Sequence, residues 1–141
     1  MTSFLYNRAK LAILQNEFDF TADEFKAALV TAAYAPDKDA HETFDDITDE
    51  VTGTGYAAGG KALENIALSR DDANDRAVLD ADNLTWPLAT FIARAAVIYK
   101  NTGSAATSLL LAYVDFDEEL ESAGEDFILK WNQEGILSLG E

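Results

Sequence analysis

The chain has 141 residues, of which 48% are hydrophobic and 26% are charged, and these fractions are typical of one globular domain. Its 26 Asp and Glu outnumber its 10 Lys and Arg, and the net charge of −16 disfavours binding to nucleic acids or anionic membranes. The absence of cysteine excludes disulfides, thiolate metal sites and cysteine nucleophiles. No signal peptide is visible, and no apolar run approaches the roughly 20 residues that span a bilayer, so we expect a soluble protein.

Residues 3–15 are predicted to form a short helix. Ser3 could cap it, and the apolar side chains recur at helical spacing on one face, namely Leu5, Ala9, Ala12 and Ile13. We therefore predict an N-terminal helical segment or arm over residues 1–20 and a single β-rich domain over residues 21–141.

The segment Phe25–Tyr34 is ambiguous between helix and strand. The preceding Thr21 and Glu24 fit a capping box, which predicts a helix. Apolar residues on both parities are equally typical of a strand buried on both faces. Local propensity favours the helix, and the pattern alone leaves both readings open.

The middle of the chain is predicted to consist of turns and short strands. Residues 35–39 form a turn, 41–48 a loop with one helical turn, and 53–60 a glycine-rich turn. Strands are predicted at Lys61–Ser69 and Arg76–Ala81, joined by the acidic turn at 71–75.

The last third of the chain follows a two-residue period. Trp86-Pro87 opens a strand, 101–104 is a turn, and Leu109–Phe116 is a second strand. An acidic turn is predicted at Asp117–Gly124, after which apolar residues alternate with polar ones and point to the core, namely Phe127, Leu129 and Trp131. Gly135 interrupts this alternation, and residues 136–139 form the last segment of the chain. The sequence thus predicts a mainly β fold, an antiparallel β-sandwich or barrel-like domain with a short N-terminal helix.

The predicted strand Leu109–Phe116 is apolar on both faces. One face of a strand in a small antiparallel domain is normally solvated, so the second face needs a cover. Either a second sheet or another protein chain would supply it. The apolar stripe of Phe4–Leu14 adds to this surface, and together they lead us to expect self-association.

One segment has the spacing of a phosphate-binding P-loop, GYAAGGK at 55–61, and Leu109–Asp115 resembles the strand whose Asp holds magnesium. The residue after Lys61 must carry a hydroxyl to reach the metal, and here it is Ala62. The segment also does not follow a buried strand or open a strong helix. We therefore do not expect nucleotide binding.

The remaining candidates for chemistry are weak. The carboxylates at 71–75, 80–82 and 115–121 lack the ligand spacing of a calcium loop. His41 is expected at the surface, and no G-x-S-x-G elbow accompanies it. Trp86 and Trp131 are expected in the core, with a sugar-stacking platform as the alternative. We predict no enzymatic activity, no catalytic, cofactor-binding or metal-binding residue, and no cofactor.

Several strings resemble a family of small virion structural proteins of tailed bacteriophages, over about Phe25 to Leu139. They are GTGYAAGGK (53–61), ADNLTW (81–86), TFIARAAVIYKNTG (90–103), AYVDF (112–116), WN (131–132) and GIL (135–137). These are turn and core residues, so they indicate fold and lineage more than task. The resemblance implies that 25–31 is a strand.

The same resemblance implies a non-enzymatic role in the virion, which is assembled in the host cytoplasm. A decoration (cement) protein on the outside of the capsid is the first expectation, with the major capsid protein or other virion proteins as partners. A homo-oligomer is expected, a trimer first, because decoration proteins often occupy three-fold positions. A neck or tail component is the alternative, and a carbohydrate-binding module comes third.

Overall fold

The structure is a computed structural model that describes residues 2–140. The single α-helix in that range, α1, spans Asn7–Leu14, and a 3-10 turn spans Phe44–Asp46. The strands are β1 (Thr2–Leu5), β2 (Phe25–Val30), β3 (Lys61–Ala62), β4 (Ala67–Asp71), β5 (Arg76–Asp80), β6 (Leu84–Lys100), β7 (Leu110–Leu129) and β8 (Leu137–Gly140).

All strand pairs are antiparallel and form two sheets. The large sheet has the order β1-β7-β6-β2-β3, and the small sheet has the order β4-β5-β8. The predicted mainly β fold with a short N-terminal helix is confirmed, and within residues 2–140 neither sheet closes into a barrel. No helix of this range has the length and hydropathy to cross a membrane.

β6 and β7 form a long ribbon of 17 and 20 residues, paired from Leu84↔Leu129 to Tyr99↔Leu110. The predicted acidic turn at Asp117–Gly124 is wrong, because these residues lie inside β7. Between the pairs Ala93↔Leu120 and Ala95↔Asp115, β7 uses three more residues than β6. Bulges of this kind bend a strand without reversing it, so turn-forming residues are accommodated inside the ribbon.

The opening of β6 also differs from the prediction. The strand begins at Leu84, and Pro87 lies in a bulge between the pairs Trp86↔Phe127 and Ala89↔Glu125. A bulge tolerates proline because the ladder there does not need its missing N–H. The next residue, Leu88, has a φ of 49° and is 70% exposed.

The strand reading of the ambiguous segment is correct. β2 pairs with β6, and Phe25 and Ala27–Val30 are each at most 1% exposed. Phe18 and Phe20 pack against Phe25, with ring centroids 5.8 and 5.0 Å away. A helix here would bury one stripe, whereas a strand at the centre of a covered sheet buries both faces.

Residues 34–44 cover the face of the large sheet opposite Phe25, whereas residues 49–51 run along its β2 edge, where the Val51 N–H donates to the Leu29 carbonyl at 2.9 Å. Phe44 stacks on Tyr99 at 4.2 Å between centroids, and Tyr34 lies 6.0 Å from Tyr113. The apolar residues at the start of β7 are consequently buried within one chain, namely Leu110, Leu111, Ala112, Tyr113, Val114 and Phe116. This part of the sheet therefore does not need a second protein chain as its cover.

The N-terminal segment is a strand followed by a helix. Ser3 does not cap the helix, because it lies in β1 and pairs with Val114 of β7. The helix starts after Tyr6, without a side-chain cap. Its buried residues Ala9 and Ala12 match the predicted face, as does buried Leu5, while Ile13 is partly buried. At the start of the helix, the Tyr6 N–H donates to the Leu111 carbonyl at 3.2 Å and the Asn7 N–H donates to the Lys38 carbonyl at 3.0 Å, so tertiary contacts bond amides that lack a side-chain cap.

The predicted strand Lys61–Ser69 is two strands that belong to different sheets. Asn65 lies between β3 and β4 with a φ of 53°, a left-handed conformation that asparagine tolerates. β5 and the preceding turn agree with the prediction, and the Asn74 N–H donates to the Asp71 carbonyl at 3.3 Å.

Phe127→Ala is expected to lower the free energy of unfolding by about 3–5 kcal/mol, because this phenylalanine is buried among Phe91 and Trp86. The adjacent Ile128 is 47% exposed and faces away, so Ile128→Ala should cost less than about 1 kcal/mol. Urea unfolding of both variants tests this. Equal midpoints for the two variants would contradict the orientation of this strand.

Candidate docking surface

The glycine-rich segment does not form a phosphate cradle. It leads into the two-residue β3, with Ala62 after Lys61, and not into a helix. The Glu50 carboxylate accepts hydrogen bonds from the Gly59 N–H at 2.7 Å and the Tyr56 hydroxyl at 2.5 Å. Burial, reinforced by this carboxylate, raises the pKa of Tyr56. Glu50 thus occupies the Gly59 amide, and the Gly60 N–H donates to the Ala57 carbonyl at 3.1 Å, so these two amides are not open to a phosphate.

Asp115, the magnesium ligand in the P-loop reading, is part of an ion pair. Arg94 Nε donates to Asp115 Oδ1 at 2.8 Å, and the Asp117 N–H donates to the same oxygen at 2.8 Å. The hydrogen bond from Arg94 holds the pKa of Asp115 below its usual range. The pair lies where β7 departs from register, and it links β6 to β7 across the bulge.

The other acidic positions are engaged locally. The Asp71 carboxylate accepts from Asn74 Nδ2 at 2.8 Å and from Arg76 Nε at 3.1 Å, which stabilises the β4–β5 turn. Over residues 2–140, no three His, Cys, Asp or Glu side chains converge as a metal site would require.

His41 is half-buried and bonded, and is not a free surface side chain. Its Nδ1 lies 2.8 Å from the Tyr34 hydroxyl and accepts the Asp37 N–H at 3.2 Å. The Tyr34 hydroxyl is in turn 2.9 Å from that of Tyr6. Burial raises the pKa of Tyr34 to about 12, so this hydroxyl stays protonated at neutral pH.

Both tryptophans lie in the core, as predicted. Trp86 is 1% exposed, and Trp131 is 8% exposed with its indole N–H donating to the Asp82 carbonyl at 2.9 Å. A sugar-binding platform needs an exposed ring face. Neither indole provides one.

The most distinct surface feature is an apolar groove of about 180 Å³ between the helix and the small sheet. It is lined by Ile13, Phe20, Leu68, Ser69, Ala77, Val78, Leu79, Leu137 and Leu139. The inner leucines, Leu79 and Leu137, belong to the core, whereas Leu68 is 53% and Leu139 is 40% exposed. The groove is therefore an opening in the chain's own hydrophobic core.

The groove lies beside an open strand edge. β4 pairs with β5 on one side, and none of residues 2–140 forms a strand on the other. Its first four residues, Ala67 to Arg70, are exposed. Unpaired edges next to apolar side chains are sites where other strands can add.

Sequence reasoning did not find this groove. Leu68 and Leu139 lie in short strands with polar neighbours, and neither forms a conspicuous apolar run. The groove is formed by residues from positions 13–20, 68–79 and 137–139, so only the tertiary structure brings it together.

Comparison with protein-family models, with curated proteins and with solved structures found no match.

Glu50→Ala is expected to lower the free energy of unfolding by about 1.5–3 kcal/mol, because it removes a charged acceptor from the Gly59 amide and the Tyr56 hydroxyl. Glu118→Ala is the matched control, since this carboxylate is exposed on β7. Denaturant unfolding should separate the two variants. If Glu50→Ala unfolds at the wild-type midpoint, Glu50 does not hold the loop.

Asp115→Asn is expected to cost about 1 kcal/mol at pH 7, allowing for solvent screening of a pair whose side chains are 34% and 27% exposed. The pKa of Asp115 is lowered in the folded state, so its stabilisation is complete above the unfolded value of about 3.9 and is lost as pH falls through the folded value. The stability difference between variant and wild type should thus shrink below pH 4. A constant difference from pH 7 to pH 2 would contradict the ion pair as its source.

Proposed function

We propose that this chain is a non-enzymatic structural component of a tailed-phage virion and acts as a decoration protein on the outside of the capsid. The observation that carries the proposal is the apolar groove at Leu68 and Leu139 beside the open edge of β4. A core that opens onto an unpaired strand is suited to docking onto another protein. The resemblance of segments 53–61 and 90–103 to small phage virion proteins supports the same class.

The rest of the domain suits a rigid cement. The inner half of the β6–β7 ribbon, residues 93–99 and 110–116, is covered on both faces. Every buried side-chain polar atom over residues 2–140 has a hydrogen-bond partner. A capsid filled with DNA is under outward pressure, and a stiff domain bound across subunit junctions adds buried interface. The contribution of each copy can be modest because many copies act on one shell.

The charge supports an outward position. At −16, the chain is repelled by packaged DNA, whose phosphates carry the same sign. The major capsid protein is the expected partner, and it would supply the surface that covers the groove.

Immunogold electron microscopy on virions of the encoding phage tests the location, using antibodies raised against the purified chain. Label distributed over the whole head is the expected result. Label confined to the neck or tail would contradict decoration and support the alternative position. Absence of the chain from purified virions by mass spectrometry would refute a virion role altogether.

We expect copies to associate, as trimers first, and more strongly at high salt. Each copy carries −16, and salt screens this repulsion, with a Debye length of about 10 Å at 0.1 M against about 30 Å at 0.01 M. Light scattering at both ionic strengths measures the mass. A monomer mass under both conditions would rule out the trimer in solution.

A further inference from the structure

The open edge of β4 borders the apolar face that lines the groove. Cross-strand register pairs Leu68 with Leu79 and Leu79 with Leu137, so these three leucines lie on one face of the small sheet. Ala77 pairs with Leu139 on the same face. A strand added beside β4 would run about 4.8 Å from it, and every second side chain of that strand would lie over this face next to Leu68.

The surroundings of this edge are acidic. Residues 64–82 contain two guanidinium groups, Arg70 and Arg76, and six carboxylates, Glu64, Asp71, Asp72, Asp75, Asp80 and Asp82. Arg76 is already paired with Asp71 at 3.1 Å, and Arg70 lies 3.3 Å from Asp72. Residues 17–24 near Phe20 add four carboxylates, Glu17, Asp19, Asp23 and Glu24. Two of them are paired with bases, Glu17 with Arg8 at 2.8 Å and Asp23 with Lys100 at 3.1 Å, and the surroundings still carry more carboxylates than bases.

This charge distinguishes between the possible occupants of the groove. A second copy would bring another −16 to an edge that is already acidic, which disfavours pairing of β4 with itself. A basic segment would be attracted to the same edge and would neutralise its carboxylates.

We propose that β4 and the groove bind an extended segment of a partner protein in which apolar side chains alternate with lysine or arginine. The segment adds to β4 as a strand, its apolar side chains lying next to Leu68 and its basic side chains on the opposite face of the small sheet, which carries Asp71 and Asp80. The expectation that the partner lies in the virion rests on the proposed function, whereas the binding site itself does not.

A fluorescent seven-residue peptide of alternating lysine and valine serves as the probe, with anisotropy as the readout. Saturable binding to the full chain is expected, and Leu68→Asp should weaken it by about tenfold or more. The substitution adds negative charge, so non-specific electrostatic attraction would strengthen binding instead. The two explanations therefore predict opposite signs.

Ile92→Asp is the matched control, because Ile92 is 45% exposed against 53% for Leu68 and lies on β6 outside the groove. It should leave the affinity unchanged or slightly raised. A second peptide with serine in place of valine keeps the charge and should bind about tenfold more weakly. Unfolding midpoints establish that the variants remain folded.

Hydrogen-exchange mass spectrometry on the wild-type chain gives an independent readout. The valine peptide should protect amides within residues 66–71 and leave 90–93 unchanged. No saturable binding, equal affinity of the Leu68→Asp variant, or protection away from β4 would each overturn the proposal. So would a wild-type dimer that Leu68→Asp dissociates, because a second copy would then occupy the groove.

The peptide-binding experiment and the immunogold experiment can fail independently. A failed peptide test with gold label on the heads would leave the decoration role in place and refute this docking site. Peptide binding with no label on virions would keep the site and refute the virion role.

Discussion

The pairing of β6 with β7 is the constraint on which the rest of the structure depends. β1 hydrogen-bonds to β7 and β2 to β6, so the register of this ribbon fixes the position of every strand in the large sheet except β3, which follows through β2. Over the inner half the ribbon is buried on both faces, where small and large side chains alternate between neighbouring strands. The resulting core holds the helix on one side and residues 34–44 on the other.

Bulges allow the β6–β7 ribbon to pass from a part buried on both faces to a part with one exposed face. The inner half lies in the core, whereas the outer half buries Phe91 and Phe127 on one face and exposes Ile92 and Ile128 on the other. The change occurs near Asp115, where β7 gains three residues and Arg94 bridges the shifted strands. The Arg94–Asp115 ion pair thus links β6 and β7 at the point where the bulge interrupts their ladder. The acidic residues of β7 remain solvated around it.

The small sheet closes the core incompletely. Leu79 and Leu137 are buried, while Leu68 and Leu139 extend the same apolar face to the surface. An opening of this kind on a neutral domain would favour aggregation. High negative charge keeps identical copies apart at low salt while leaving the site available to a partner of opposite sign. The negative charge of the chain therefore limits the aggregation that the apolar groove would otherwise favour.

The sequence by itself determined the class of fold, because period-two alternation at Phe127, Leu129 and Trp131 reports a strand with one buried face, whatever its neighbours. It did not determine the strand Phe25–Val30, where a capping-box pattern favoured a helix, or the passage of β7 through Asp117–Gly124, where turn residues favoured a reversal. Both were decided by long-range pairing with β6, since a neighbouring strand supplies hydrogen bonds that local propensity cannot outweigh. The docking groove likewise exists only in three dimensions, because it combines Phe20, Leu68 and Leu139 from distant parts of the chain.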